Sequence, residues 1–141
     1  MILLDTNVIS EPLRLTASPE VLAWIDAQNI ETLYLAAISL AELRFGVAAL
    51  PAGKRKESLH HNLERRVIPL FKGRILSFDA EAAQAYAELR ARARAAGKAI
   101  GTADGYIAAT AAANGLAVAT RDVAPFEAAG VEVINPWETK V

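Results

Sequence analysis

Met1-Ile2-Leu3-Leu4-Asp5-Thr6-Asn7-Val8-Ile9-Ser10 opens the chain with an apolar run that goes straight into an aspartate. A short apolar run of this kind reads as a strand buried on both faces, and Val8-Ile9 followed by Leu13 marks a helix beginning just after it. Working outward, residues 33–36, 74–78 and 117–120 repeat the same apolar or β-branched character. A fifth run, residues 131–134, follows Gly130 and stops at Asn135-Pro136, where proline ends ladder pairing. Helical patterns fill the intervals, over residues 7–13, 19–28, 40–50, 54–71, 80–96 and 103–114, with a short one near Phe126. Strands that alternate with helices pair in parallel through right-handed crossovers. The predicted fold class is therefore α/β: a three-layer α/β/α sandwich with a central, mainly parallel sheet of about five strands.

Boundary residues agree with that parse. Ser18-Pro19 places a capping hydroxyl before a proline at the first helical position, Asp79 precedes the next long helix, and Gly97 and Gly115 sit where helices stop. The 141 residues suit one domain spanning 1–141, and no linker, repeat or low-complexity run divides them. A composition of 53% hydrophobic and 22% charged residues excludes disordered and collagen-like classes. With no cysteine, disulfides and thiolate metal sites are excluded, and any metal must be held by oxygen or imidazole. The first residues carry no basic leader and no window reaches the ~20 apolar residues of a membrane span, so a cytoplasmic location is expected. The net charge of −1 means that nucleic-acid binding would rest on local patches.

In open parallel sheets, ligands collect beyond the carboxyl ends of the strands. Three acids are expected there: Asp5 ending the first strand, read over residues 2–5, Glu42 in the helix after the second, and Asp122 in Thr120-Arg121-Asp122 after the fourth. Asp104 opens the helix leading into the fourth strand and reaches toward the same edge. Converging carboxylates repel unless protonated or neutralised, and a hard divalent cation such as Mg²⁺ or Mn²⁺ is the natural neutraliser. Each acid also has a structural reading. Ser39-Leu40-Ala41-Glu42 matches a capping box, Thr102-Ala103-Asp104 a capped helix start at the positive dipole end, and Asp122 the cap of the short helix that follows. Asp5 is harder to explain structurally, because an aspartate directly after a buried strand is poorly placed for a solvated charge.

Other chemistries lack their motifs. His60-His61 are adjacent on a polar helix, so their side chains diverge by about 100° and are solvated rather than paired ligands. No GxxxxGK[ST], GxGxxG or GxSxG stretch occurs. An aspartyl phosphotransferase or phosphatase would want a second aspartate two residues after Asp5, where Asn7 stands. A catalytically silent protein- or RNA-binding module would more readily have lost some of the four acids.

These segments resemble a known family, the PIN-domain ribonucleases, and in particular the VapC toxins and their FitB-like relatives. The resemblance rests on Leu3-Leu4-Asp5-Thr6-Asn7-Val8-Ile9-Ser10, Ser39-Leu40-Ala41-Glu42-Leu43 with Gly46, Thr102-Ala103-Asp104 with Ile107-Ala108-Ala109-Thr110-Ala111, Ala119-Thr120-Arg121-Asp122, and Gly130 with Val133-Ile134-Asn135-Pro136-Trp137. It implies a metal-dependent endoribonuclease, the toxin of a toxin–antitoxin pair, with products bearing 5′-phosphate and 3′-hydroxyl ends. The metal pocket would be Asp5, Glu42, Asp104 and Asp122, supported by Thr6, Asn7 and Thr120. It also implies a homodimer and a cognate antitoxin whose C-terminal segment blocks the pocket. Three positions depart from the pattern: Asp122 stands where relatives often carry Asn, Ala124-Pro125 where many carry an aspartate, and Gly105 replaces a larger residue.

A substrate backbone needs cations near the acids. Arg90, Arg94 and Lys98 lie four apart on one helix face, with Arg92 nearby, and form either a phosphate track or a solvated face. Lys54-Arg55-Lys56 with Arg65-Arg66 has the same ambiguity, and Arg44 meets either RNA or a nearby acid. Val8, Ile9, Leu13, Val21, Trp24 and Ile25 exceed what one sheet face readily covers, so they form either core or a partner surface.

Overall fold

A computed structural model describes residues 1–138; residues 139–141 of the expected single-domain span lie outside the described residues. Five strands, β1 (Ile2–Leu4), β2 (Leu33–Ala36), β3 (Ile75–Leu76), β4 (Ala117–Ala119) and β5 (Val133–Ile134), form one sheet in the order β3-β2-β1-β4-β5. Every pairing is parallel, with Leu4 opposite Leu35 on one side and Ala119 on the other. The first strand is thus the central one. Its run of Ile2-Leu3-Leu4 suits that place, because a central parallel strand is covered on both faces. Leu3 points into a cluster with Leu89, Ile107, Val118 and Phe126, and Leu4 into an opposite one with Val8, Leu33, Leu43 and Phe71. This two-residue alternation makes the sheet the middle of three layers.

One outer layer holds α5 (Ala80–Ala95), α6 (Thr102–Ala113) and α7 (Val123–Ala128). The other holds α1 (Thr6–Ser10), α2 (Pro19–Ala27), α3 (Ala37–Ala48) and the chain after α4 (Lys54–Asn62). Caps form where the sequence places them: the Ser18 hydroxyl accepts from Val21 N and the Asp79 carboxylate from Ala82 N. Val8, Ile9 and Val21 are buried, and Leu13, Trp24 and Ile25 pack half-buried on the second cluster. Of the two readings of this apolar surplus, core or partner surface, the structure shows its residues in or against the core. No helix among the described residues is long and apolar enough to cross a membrane.

Residues 54–71 depart from the single helix expected of them. After α4 the chain widens into a π turn over Leu63–Val67 and then tightens into a 3₁₀ turn over Ile68–Phe71. Pro69 is the cause: it has no N–H to donate, and its ring clashes with the carbonyl four residues earlier. The irregular path lets both Leu63 and Phe71 turn fully inward.

Gly105 is explained by its neighbour. A Cβ built there would lie 3.0 Å from Tyr86 Cε2. Tyr86 is fixed by stacking on Tyr106, with centroids 4.8 Å apart, and by edge contact with Phe78 at 6.1 Å. Gly105→Ala would gain up to ~1 kcal/mol of helix propensity, but overpacking against a ring that cannot retreat costs about 1–3 kcal/mol. The expected net result is a lower urea midpoint; a higher one would show that the aromatic trio yields.

Candidate active site

The carboxyl edge of β1 is where the acids meet. Asp5 leaves the sheet with its N–H bonded to Ala119 O at 2.9 Å, and its side chain folds back to cap α1 by accepting from Thr6 N at 2.8 Å. Its other oxygen accepts from the Thr120 hydroxyl at 2.8 Å and, at the limit of hydrogen bonding, from Asn7 Nδ2 at 3.5 Å. The Thr120 hydroxyl in turn accepts from Asp122 N at 3.0 Å. Asn7 spans the gap, with its amide nitrogen 3.4 Å from Thr120 Oγ1 and its oxygen accepting from Arg121 N at 3.3 Å. Strands β1 and β4 lie side by side, so the residues leaving their ends are cross-linked by these short polar side chains.

Glu42 enters from α3. That helix begins directly out of β2, three residues before the start expected from the sequence, with Ala36 as its cap residue. Ser39 therefore lies inside the first turn and the capping box does not form. Instead, Glu42 Oε1 accepts from the Thr6 hydroxyl at 2.7 Å. The other two capping readings hold only in part. The cap residue of α6 is Gly101, not Thr102, and Asp122 caps α7 by position without a side-chain hydrogen bond. Asp104 does occupy the first turn of α6, at the positive end of the helix dipole.

The four acids share one electrostatic neighbourhood. Asp5, only 5% exposed, is pushed up to about 6, chiefly by burial. Its hydrogen bonds from Thr120 and Thr6 oppose that shift, while the charges of Asp104 and Glu42 add to it. Asp104 is also raised, first by partial burial and then by the charges of Asp122 and Glu42. Among the described residues, no three Asp, Glu or His side chains are gathered closely enough to hold a metal ion by themselves. The donor set still fits Mg²⁺ or Mn²⁺: it is all oxygen, in mutual repulsion, and Mg²⁺ takes one or two carboxylates and fills its sphere with water and phosphate oxygens.

Ser39 is fully buried and its hydroxyl has no hydrogen-bond partner among the described residues. Ser39→Ala should raise stability by about 1 kcal/mol, read as a higher urea midpoint, since the desolvated hydroxyl has nothing to offset it. A lower midpoint would reveal a partner for it.

The expected basic residues divide. Arg44 is not turned to the acids. Nε and Nη2 grip the two Glu64 oxygens at 3.1 and 2.9 Å, on the wall of a hollow of about 620 Å³ between α3 and α4 that contains none of the four acids. Of the two roles expected of Arg44, the structure shows the pairing with a nearby acid. Arg90, Arg94 and Lys98 line one hollow together, on the α5 side of the fold. His60 and His61 are exposed, as expected. A residue the sequence did not single out is Arg121, whose guanidinium lies 5.2 Å from the Trp137 ring centroid while its backbone is tied to Asn7. The signal was its place between Thr120 and Asp122; the aromatic partner lies on another segment.

Comparison with known proteins gives the same frame. The PIN domain family model matches residues 2–131. The chain is 62% identical over 138 residues to VapC ribonuclease Y4jK of Sinorhizobium fredii, covering 98% of this chain and 99% of that protein. It is 57% identical over 137 residues to toxin FitB of Neisseria gonorrhoeae, covering 97% and 99% respectively. A solved structure described as FitAB bound to IR36 DNA fragment superposes with a TM-score of 0.97 at 53% identity, covering 100% of this chain and 99% of that one. With its all-parallel sheet, the acids at its carboxyl edge and these relatives, the chain belongs to the PIN domain family.

Proposed function

We propose that this chain is an endoribonuclease that cleaves RNA phosphodiester bonds at the cleft of Asp5, Glu42, Asp104 and Asp122, with Mg²⁺ or Mn²⁺. The observation that carries the reading is the meeting of acids from four separate segments at the sheet's carboxyl edge, where Asp104 and Glu42 act on the buried Asp5 and Asp122 and Glu42 act on Asp104. Likeness to a VapC ribonuclease supplies the substrate class. Asp5, Asp104 and Asp122, with Glu42, would hold the ion. When bound, such an ion lowers the pKa of a water and neutralises charge on the phosphate during in-line attack.

The protein's own groups prepare the cleft. The Thr120 hydroxyl and the Thr6 N–H favour the ionised form of Asp5 and fix its plane. The Thr6 hydroxyl aims Glu42 from a different element at the same cleft. Asn7 ties the β4 exit to the start of α1, so the carboxylates are held by rigid segments rather than by loops. Arg121, braced on Trp137, offers a cation beside Asp122 for a substrate phosphate.

By likeness to toxin FitB and to the FitAB structure, the chain acts as the toxin of a toxin–antitoxin pair and assembles with an inhibitory partner protein; a homodimer in the cytoplasm is proposed with it. The test is incubation of a mixed RNA pool with the purified chain in Mg²⁺, Mn²⁺ or EDTA, alone and after co-expression with the product of a neighbouring small gene. Cleavage is expected in the metals, not in EDTA, and not with the inhibitor. No cleavage in any metal would favour a silent PIN-fold binding module.

A further inference from the structure

A cleft of four carboxylates repels the polyanion it must cut, and a bound cation compensates only at the reacting phosphate. The neighbouring phosphates need cations of their own. On the α5 side of the fold, a hollow of about 1050 Å³ is lined by Tyr86, Arg90, Arg94, Gly97, Lys98 and Ile100. None of its three cations forms an ion pair among the described residues, where the pairs are Arg14–Glu11 and Arg44–Glu64. Arg90 is the inner one. Its Nη1 donates to the Tyr86 hydroxyl at 2.6 Å and its guanidinium lies 5.4 Å from that ring's centroid, which leaves its other N–H groups free to meet an anion. Arg94 and Lys98 are exposed on the same rim.

The hollow is concave because the chain reverses at Gly97, where φ is +71°. Lys98 N bonds back to Ala93 O at 2.8 Å, and this closes the end of α5 and swings Lys98 into line with Arg90 and Arg94. It also meets the helix that carries Asp104. Arg90 Cδ lies 3.5 Å from where a Gly105 Cβ would be, and Gly105 follows Asp104 in α6. Packing of α5 on α6 thus sets the basic hollow beside the helix whose first turn holds Asp104.

We infer that Arg90, Arg94 and Lys98 form a backbone subsite that holds phosphates of single-stranded RNA adjacent to the scissile one, without reading bases. This inference rests on the ribonuclease reading above. Three unpaired cations beside a carboxylate cleft match the charge pattern of a polyanion that runs past its own cleavage point, and a guanidinium fork suits phosphate geometry.

The experiment measures binding of a fluorescein-labelled oligouridylate to the Asp5→Asn chain across a salt series, with and without the double change Arg94→Gln and Lys98→Gln; thermal melts check that both fold. The expected result is a salt slope shallower by about 1.4 in the double variant, or about 0.7 per lost contact with a single strand. The loss should be the same for an oligoadenylate. An unchanged slope and affinity in the double variant, with the parent binding RNA, would overturn the subsite and leave the nuclease reading intact. Failure of the parent to bind either oligomer, together with no cleavage of the RNA pool, would overturn both. Tighter binding of polyglutamate than of RNA, lost in the double variant, would overturn the inference by assigning the hollow to an acidic protein.

Discussion

Asp5→Asn is expected to lower RNA cleavage on the order of 10³-fold, as removal of one charge partner of a transition state does, and at the same time to make the protein harder to unfold in EDTA at pH 7.5. The second effect follows from burial. Asp5 is pushed up to about 6 in the folded chain from an ordinary value of 3.8. Between those values the folded state holds more protons than the unfolded one, so stability declines as pH rises through about 4 to 6 and is level above that. The charged form thus costs about 3 kcal/mol at neutral pH. Asparagine removes the charge but leaves the Thr120 hydroxyl short of an acceptor, which returns about 1 kcal/mol. The net gain, about 2 kcal/mol, corresponds to roughly 5–10 °C in Tm for a chain of this size. Below about pH 4 the advantage should vanish. Scanning calorimetry of both proteins across pH, alongside the cleavage assay, checks this. A variant less stable than wild type at pH 7.5, or one that still cuts, would remove Asp5 from the role given to it.

Thr120→Val carries the second large effect. Valine matches threonine in shape but cannot donate to Asp5 or accept from Asp122 N and Asn7 Nδ2. A buried carboxylate that loses a charge-assisted hydrogen bond, together with a backbone N–H left unpaired, costs about 2–4 kcal/mol. Stability in EDTA should fall by that amount, read from urea unfolding. Thr120 acts through Asp5, so a second readout separates positioning from simple destabilisation. The Mg²⁺ concentration that half-maximally raises Tm should increase about 10- to 100-fold in Thr120→Val, the usual penalty for losing a group that orients a ligand. Thr120→Ser, which keeps the hydroxyl, should restore it. An unchanged Mg²⁺ midpoint in the valine protein would make Thr120 purely structural.

The sheet was legible because its strands are apolar on both faces. The runs at Leu3-Leu4, Leu33-Tyr34-Leu35 and Val118-Ala119 have no reading but a doubly covered strand. Their carboxyl ends were read one or two residues too long at Asp5, Thr120 and Phe78. At Asp5 and Thr120 the side chains bind each other across 115 positions as the backbone leaves the ladder, a competition that no local pattern records. Ser39-Leu40-Ala41-Glu42 misled for the opposite reason. It is a good local capping signal, overridden because α3 starts straight out of β2 and Thr6 offers Glu42 a partner from elsewhere. The acids themselves were visible from their position after strands, whereas Arg121 on Trp137 depends on two segments that meet only in the folded chain.

The strand order has a consequence for how the protein is made. β1 is made before the other four strands of the sheet and is the central one, and its second neighbour, β4, begins only at Ala117. At translation rates of about 5–20 residues per second, on the order of ten seconds separate the emergence of Asp5 from that of its partner Thr120. Until then β1 has a partner on one side only, and the Thr120 and Asp122 side of the carboxylate cleft is missing. A chain that stops before residue 117 therefore lacks that side of the cleft. The cleft is thus assembled in time as well as in space: its first wall is made with β1, and its second only with residues 117–122.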